Sequence, residues 1–371
     1  MSQINVRNLS NENDDGAPDI VGISTFSATS YFVPPKGTTA QRPENPQGGD
    51  LRFNTDTASL EYYRGDTINW TQIEMTSPDL DGGARGLFAG GRESAPAFTN
   101  KIEYITISVL GNAIDFGDLT RQYGQGAACA SRARGVFFGG QQPSPTYGPQ
   151  IDYVTISSTG NAVDWGVDMT GCVGPDACGS ETRGLVMGGN TNHVNTISYI
   201  TIASTGTLSD FGDLNKNAAQ AAAFSSSTRG VHLGGSTPGG STNSIQYVTI
   251  STLGNGEDFG DLSSIRTSAG GCSNSIRGLI GGGSNPNNTN AIEYLTIATL
   301  GDTLGFGDLT QARTILEACS SSTRGVWGGG SPNGDVLDYV EIMTTGNAKD
   351  FGDMTSRDEF GAACSNGHGG L

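Results

Sequence analysis

The chain has 371 residues, of which 57 are glycine and 15% are charged, and its 37 acidic against 20 basic residues give a net charge of −17. Glycine is about twice its usual share and charge falls well below the usual quarter, which predicts a surface of Ser, Thr, Asn and Gly. The acidic balance disfavours nucleic acid and anionic lipid as partners, and no apolar run approaches the ~20 residues that a membrane-spanning helix needs.

The start, Met1-Ser2-Gln3-Ile4-Asn5, lacks a basic segment followed by an apolar one, so no secretory leader is expected. Residues 1–32 are polar and acidic, with the run Asn11-Glu12-Asn13-Asp14-Asp15-Gly16. Such a segment buries little by itself. Its apolar islands, Ile20-Val21-Gly22-Ile23 and Tyr31-Phe32-Val33, are expected to order against a partner chain, which makes 1–32 an extended attachment segment.

A small β module is predicted over 33–78. Alternation around Leu51-Arg52-Phe53 and Leu60-Glu61-Tyr62 gives short strands, and Asn54-Thr55-Asp56-Thr57 gives a turn. The ordered string Gly37-Thr38-Thr39-Ala40-Gln41-Arg42-Pro43, Leu51-Arg52-Phe53-Asn54-Thr55-Asp56-Thr57, Glu61-Tyr62-Tyr63 and Trp70 resembles a module of tail-fibre and other virion proteins of tailed bacteriophages. The resemblance covers about forty residues. It implies attachment to other virion proteins through the N-terminal region, a homotrimeric state, and a location in the virion after assembly in the host cytoplasm.

From residue 79 onward one pattern recurs. Arg134-Gly135-Val136-Phe137-Phe138-Gly139-Gly140 has counterparts starting at Arg85, Arg183, Arg229, Arg277 and Arg324, and successive arginines lie 49, 49, 46, 48 and 47 residues apart. A fixed period of this size marks a repeat architecture. Each repeat predicts four strands: a small-residue strand such as Gly126-Ala127-Ala128-Cys129-Ala130, the Arg-Gly strand, Ile151-Asp152-Tyr153-Val154-Thr155-Ile156, and an aromatic strand such as Asp115-Phe116-Gly117. The third strand is apolar on both sides, as expected of a sheet sandwiched between neighbours. The small first strand suits the axis of a propeller, where sheets converge.

The repeat resembles a kelch motif: an apolar strand closing on Gly-Gly, a tyrosine in strand three, an aromatic in strand four, and an arginine (Arg121, Arg266, Arg313, Arg357) before the next first strand. Phe replaces the usual Trp in all but one copy, Trp165. The first repeat enters at Arg85 without a small strand, whereas the last ends in a surplus one, Gly361-Ala362-Ala363-Cys364-Ser365. The expectation is therefore an all-β chain whose residues 79–371 form a six-bladed kelch-like propeller closed by the C-terminal strand.

Cys129, Cys178, Cys272, Cys319 and Cys364 hold one repeat position, occupied by Phe224 in the remaining copy, so they read as buried, reduced thiols. Only Cys172 with Cys178 remains as a local pair. No Cys-x-x-Cys occurs and His193, His232 and His368 are scattered, so no metal and no cofactor are expected. The acid pairs Asp115/Asp118, Asp210/Asp213, Asp258/Asp261 and Asp350/Asp353 fit calcium binding or acid–base work in principle. Their recurrence favours turn caps that pair with the repeat arginines Arg85, Arg134, Arg183, Arg229, Arg277 and Arg324, because a catalytic pair would be unique. The Asp-x-Gly core also resembles the Asp-box of sialidase propellers, without its Ser/Thr and Trp positions or a separate arginine triad, which leaves a glycan-processing enzyme as the alternative function.

The segments between strands two and three (141–150, 190–196, 236–244, 284–291 and 331–336) vary in length and are rich in Asn, Ser, Pro and Gly. Insertions on one face of a repeat protein are commonly its binding face. Tyr147, His193 and Asn285 are the candidate contacts. The expected function is a non-enzymatic phage virion component that displays a propeller for adhesion to a host-surface glycan or protein.

Overall fold

The structure is a computed structural model that describes residues 34–56, 59–65, 69–73, 84–94, 97–143, 148–166, 169, 173–189, 193–284, 286–356 and 359–371. These residues form an all-β protein whose one helical element is a single 3-10 turn, Thr39–Gln41. The chain divides into two compact units, Met1–Ser77 and Pro78–Leu371. The attachment segment at 1–32 and the positions Tyr147, Cys172, Asn285 and Arg357 lie outside the described residues.

The first unit is a four-stranded sheet. Lys36–Gly37 runs parallel to Leu51–Asn54, which pairs antiparallel with Ser59–Tyr63, and that strand pairs with Trp70–Ile73. Alternation sends Arg52, Asn54 and Glu61 to one face, where all three are buried. Glu61 binds Arg42 at 2.6 Å, Arg52 at 3.4 Å and the Asn54 amide at 3.1 Å. Both guanidinium groups also lie about 6 Å from the centre of the Trp70 ring. Asp56 accepts the Thr39 N–H at 2.8 Å, and Arg52 donates to the Thr38 carbonyl at 2.9 Å. The string that the sequence singled out is thus one polar network under a small sheet. The Arg42 hydrogen bond holds the Glu61 carboxyl below its ordinary range against the opposing effect of burial.

The second unit contains six four-stranded antiparallel sheets. Sheet I comprises Ala362–Ser365, Arg85–Ala89, Lys101–Thr106 and Ile114–Asp118; its first strand comes from the far end of the sequence, with Ala362 opposite Ala89 and Ser365 opposite Gly86. Sheet II comprises Ala127–Ala130, Arg134–Phe138, Ile151–Thr155 and Val163–Asp164, and sheet III Asp176–Gly179, Arg183–Met187, Thr196–Thr201 and Ser209–Asp213. Sheet IV comprises Ala222–Ser225, Arg229–Leu233, Ser244–Thr249 and Glu257–Asp261. Sheet V comprises Gly270–Ser273, Arg277–Gly281, Ala291–Thr296 and Leu304–Asp308, and sheet VI Glu317–Ser320, Arg324–Gly328, Val336–Glu341 and Lys349–Asp353. First strands of consecutive sheets lie side by side, and that of VI lies beside that of I.

Apolar side chains fill the spaces between sheets. Leu87, Ile102 and Phe116 of sheet I pack on Phe137, Val154 and Ile156 of sheet II, and five equivalent clusters separate the other neighbours. This is why strand three is apolar on both faces. Each fully buried side chain of this size contributes roughly 1.5–3 kcal/mol.

The Arg-Gly dipeptide fastens each sheet to the next. Nη1 of Arg85, Arg134, Arg183, Arg229, Arg277 and Arg324 donates to the backbone oxygen of Ile156, Ile202, Ile250, Ile297, Ile342 and Ile107, respectively, over 2.5–3.2 Å. Each guanidinium stacks on the tyrosine of its own strand three at 4.2–5.0 Å. That tyrosine meets the Phe or Trp of strand four edge-on at 5.7–6.1 Å. The expected pairing of these arginines with the strand-four acids is therefore corrected. Each Arg stands where the next sheet presents free carbonyls, and only Arg324 also meets a carboxylate, Glu341 at 2.9 Å, among the described ion pairs. The strand-four acids contribute their backbone instead: the N–H of Asp118, Asp213 and Asp353 donates to Asn161, Asn255 and Asn112 of the adjoining sheet's turn.

The glycine of the pair leaves a hole for the preceding sheet. A Cβ on Gly184 would sit 2.5 Å from Cys129 Sγ, and one on Gly325 would sit 2.7 Å from Cys272 Sγ. In sheet V the hole at Gly278 receives the Phe224 ring. The five described cysteines are free and buried, and burial pushes their thiols well above the ordinary range. Gly184→Ala should cost about 1–3 kcal/mol, as overpacking does. Adding Cys129→Ala should recover most of that loss in urea unfolding. A double variant no more stable than Gly184→Ala would refute the sulfur-in-hole packing.

Candidate functional site

Just ahead of each first strand the backbone turns left-handed, at Phe360, Gln125, Gly174, Gln220, Ser268 and Ile315, with φ between 51 and 63°. Only one of these is glycine, and an L-residue in this region costs roughly 1–2 kcal/mol. The return is a set of backbone hydrogen bonds that visits all six sheets. Gln125 N–H donates to Phe360 O (2.6 Å), Gly174 to Gln125 (2.9 Å), Gln220 to Gly174 (2.9 Å), Ser268 to Gln220 (2.7 Å), Ile315 to Ser268 (2.8 Å) and Phe360 to Ile315 (3.3 Å).

Within these six residues lies a cavity of about 90 Å³, walled by alanines of the first strands. Two carboxylic acids interrupt that wall. Asp176 accepts the Ala221 N–H at 3.2 Å and lies 3.2 Å from Nε2 of the buried His232. Glu317 holds the equivalent position three sheets away. Burial, and then the Asp176 charge, push its carboxyl well above the ordinary range. No lysine or arginine lines the cavity, so its surroundings favour a neutral or cationic group over an anion.

The segments between strands two and three emerge at the same end. Gly-Gly pairs start them: Gly188 and Gly189 have φ of 66 and 130°, a conformation that a β-carbon disfavours. Bridges Gly124–Gln141, Ala219–Ser236, Thr267–Ser284 and Thr314–Ser331 set the start of four inserts beside the residues just described. His193, also left-handed at φ 48°, lies 3.4 Å from Ser236 Oγ through Nε2, and its carbonyl accepts the Asn217 amide. It thereby braces the insert of sheet III against that of sheet IV. Asn288 does the same from sheet V, donating to Ser331 O at 3.2 Å. Arg92 pairs with Glu359 at 3.1 Å and lies over the Phe360 ring at 5.0 Å.

Of the three sequence candidates, His193 thus lies at this face, while Tyr147 and Asn285 lie outside the described residues. Among the described residues no three His, Cys, Asp or Glu side chains are grouped to hold a metal ion. Asp176 and Glu317 were missed. Their signal was present, since the aligned positions read Ala127, Asp176, Ala222, Gly270, Glu317 and Ala362, two acids in a column of small residues.

The architecture defines an all-β chain of four-stranded antiparallel sheets repeated with one inter-sheet bonding scheme. No protein-family model matches this chain, and no curated protein sequence matches it.

Proposed function

We propose that the six sheets are the blades of a closed, kelch-like propeller, and that the protein is a tailed-phage virion component that displays this propeller for adhesion to a host-surface glycan or protein. The first strand of sheet I, supplied by Ala362–Ser365, and the arginine bonds that run from each sheet to the next and from VI to I support closure. The observation that carries the binding role is the convergence of the variable inserts and the carboxylate-lined cavity on one end. Elsewhere the same bonds recur sheet after sheet, which is the mark of a scaffold.

The attachment role rests on the resemblance of residues 36–75 to phage fibre modules. Virion partners are contacted through residues 1–78, and the full chain is a homotrimer. Deleting residues 1–78 should leave a folded monomer that no longer enters particles, whereas the intact chain should sediment as a trimer. Incorporation of the deleted form into particles would transfer the attachment role to the propeller. Intact protein should also bind host cells, less so after exchange of the inserts at 190–196 and 236–244.

The second reading, a glycan-processing enzyme, draws on Asp176 and Glu317, two acids at one cavity with Glu317 favoured in its protonated form. Release of reducing sugar from host polysaccharide, lost in Glu317→Gln, would establish it in place of adhesion.

A further inference from the structure

The opposite end of the first strands is built differently. Four of the six strands finish on serine, and each hydroxyl donates one sheet back. Ser225 donates to Gly179 O (2.6 Å), Ser273 to Ser225 O (2.7 Å), Ser320 to Ser273 O (2.8 Å) and Ser365 to Ser320 O (2.5 Å). Sheets II and III finish on Ala130 and Gly179, which carry no hydroxyl. Gly179 therefore has no side chain to donate to the Ala130 carbonyl. That acceptor is served by Nε2 of His368, at 2.8 Å.

His368 belongs to residues 366–371, which cross this end from sheet I. Asn366 Oδ1 accepts the Arg85 N–H at 2.8 Å, and Gly369 N–H donates to Ser273 O at 2.8 Å. A Cβ on Gly369 would sit 2.6 Å from Ser225 O, and one on Gly370 would overlap Gly179 O. The segment is thus fitted against the first strands of sheets II to V by close backbone approach. It covers a cavity of about 50 Å³ that these strands line.

The ring of His368 is fixed at both nitrogens. Nε2 faces a carbonyl and must donate, while Nδ1 accepts the Gly370 N–H at 3.1 Å. Only the neutral Nε2–H tautomer satisfies both contacts. We propose that residues 366–371 are a plug that seats across the serine end of the first strands while His368 is neutral, and that protonation of His368 unseats it.

Protonation would set a second N–H against the N–H of Gly370. The charge that acts on the ring is that of Arg132, itself beside Glu181 at 3.8 Å, and it opposes a second cation. The other titratable groups lining the cavity are the thiols of Cys129, Cys178, Cys272, Cys319 and Cys364, all held uncharged by burial. No carboxylate lines it. Burial first, and the Arg132 charge in addition, lower the His368 pKa from its ordinary value against the Ala130 bond. A histidine lowered on seating contributes its full stabilisation above the free value near ~6.5 and loses it as pH falls through that range.

Hydrogen exchange of residues 366–371 in the intact chain, corrected for intrinsic rates, tests this at about pH 7.5 and about pH 5. Protection should fall on acidification, by up to about tenfold for each unit by which seating has lowered the histidine. His368→Gln keeps an amide donor and a carbonyl acceptor but does not titrate, so its protection should be equal at the two pH values. Unchanged protection in the wild type would overturn the proposal, as would a pH dependence that persists in His368→Gln. Should the glutamine fail to seat, nitrogen NMR of His368 in the wild type decides. The Nε2–H tautomer at the higher pH upholds the plug, and the Nδ1–H tautomer refutes it.

Discussion

Ending the chain after Thr355 should destabilise the whole second unit rather than fray one sheet. The truncation removes Ala362–Ser365, the sole first strand that sheet I has, and uncovers the edge of Arg85–Ala89. It also opens two clusters at once, because Ala362 and Cys364 pack with Leu87 and Phe137, and Ala363 packs with Phe88 and Val326. The strand itself carries only small side chains, but its removal uncovers Leu87, Phe88 and Phe137. With each large apolar side chain contributing roughly 1.5–3 kcal/mol when buried, the loss amounts to several kcal/mol. Thermal melting followed by circular dichroism checks it. A truncate that melts with the full chain would rule out closure through this strand.

The second large effect is expected at Arg313. Its side chain is fully buried, donates to Gly329 O at 2.6 Å and Val336 O at 2.8 Å, and pairs with the equally buried Asp338 at 2.7 Å. Thr310 completes the shell of Asp338 with a 2.6 Å hydroxyl bond. Arg313→Ala leaves Asp338 charged, buried and short of a partner, which costs about 3–5 kcal/mol when one member of such a pair is removed. Arg313→Met combined with Asp338→Leu should recover a large part of the loss, since both charges are then gone. Urea midpoints of the two variants measure the difference. Equal midpoints would mean that the carbonyl bonds of Arg313, and not its charge, hold the region.

Much of this frame could be read from residues alone. The Arg-Gly period, the small first strand, the tyrosine in strand three and the aromatic in strand four all recur, because one packing solution is used six times. The bonding partners could not be read in the same way. The repeat arginines were expected to meet Asp115 and its counterparts, yet they meet carbonyls of the next sheet, and periodicity does not reveal what stands across a gap. The left-handed residues carry no shared side chain at all: Phe360, Gln125, Gly174, Gln220, Ser268 and Ile315 are equivalent only in backbone. Where the main chain makes the bonds, the side chain leaves no signature. His368 reads as a scattered histidine for the opposite reason, since it stands in for the one hydroxyl that Gly179 lacks and so has no counterpart in other repeats.

Among the described residues, the inserts between strands two and three are tied to the frame at their roots, through the Gly-Gly turns and the short bridges beside them, and to one another through His193 and Asn288. The repeat arginines and the glycine holes that join the sheets lie in the strands, apart from those roots. A change in what an insert presents is therefore invisible to the contacts that decide folding, and a change in those contacts leaves the inserts where they were. Mutational drift can explore new surface chemistry at the tips while the risk of misfolding stays confined to other positions. The chain separates what it can afford to vary from what it must keep, repeat by repeat.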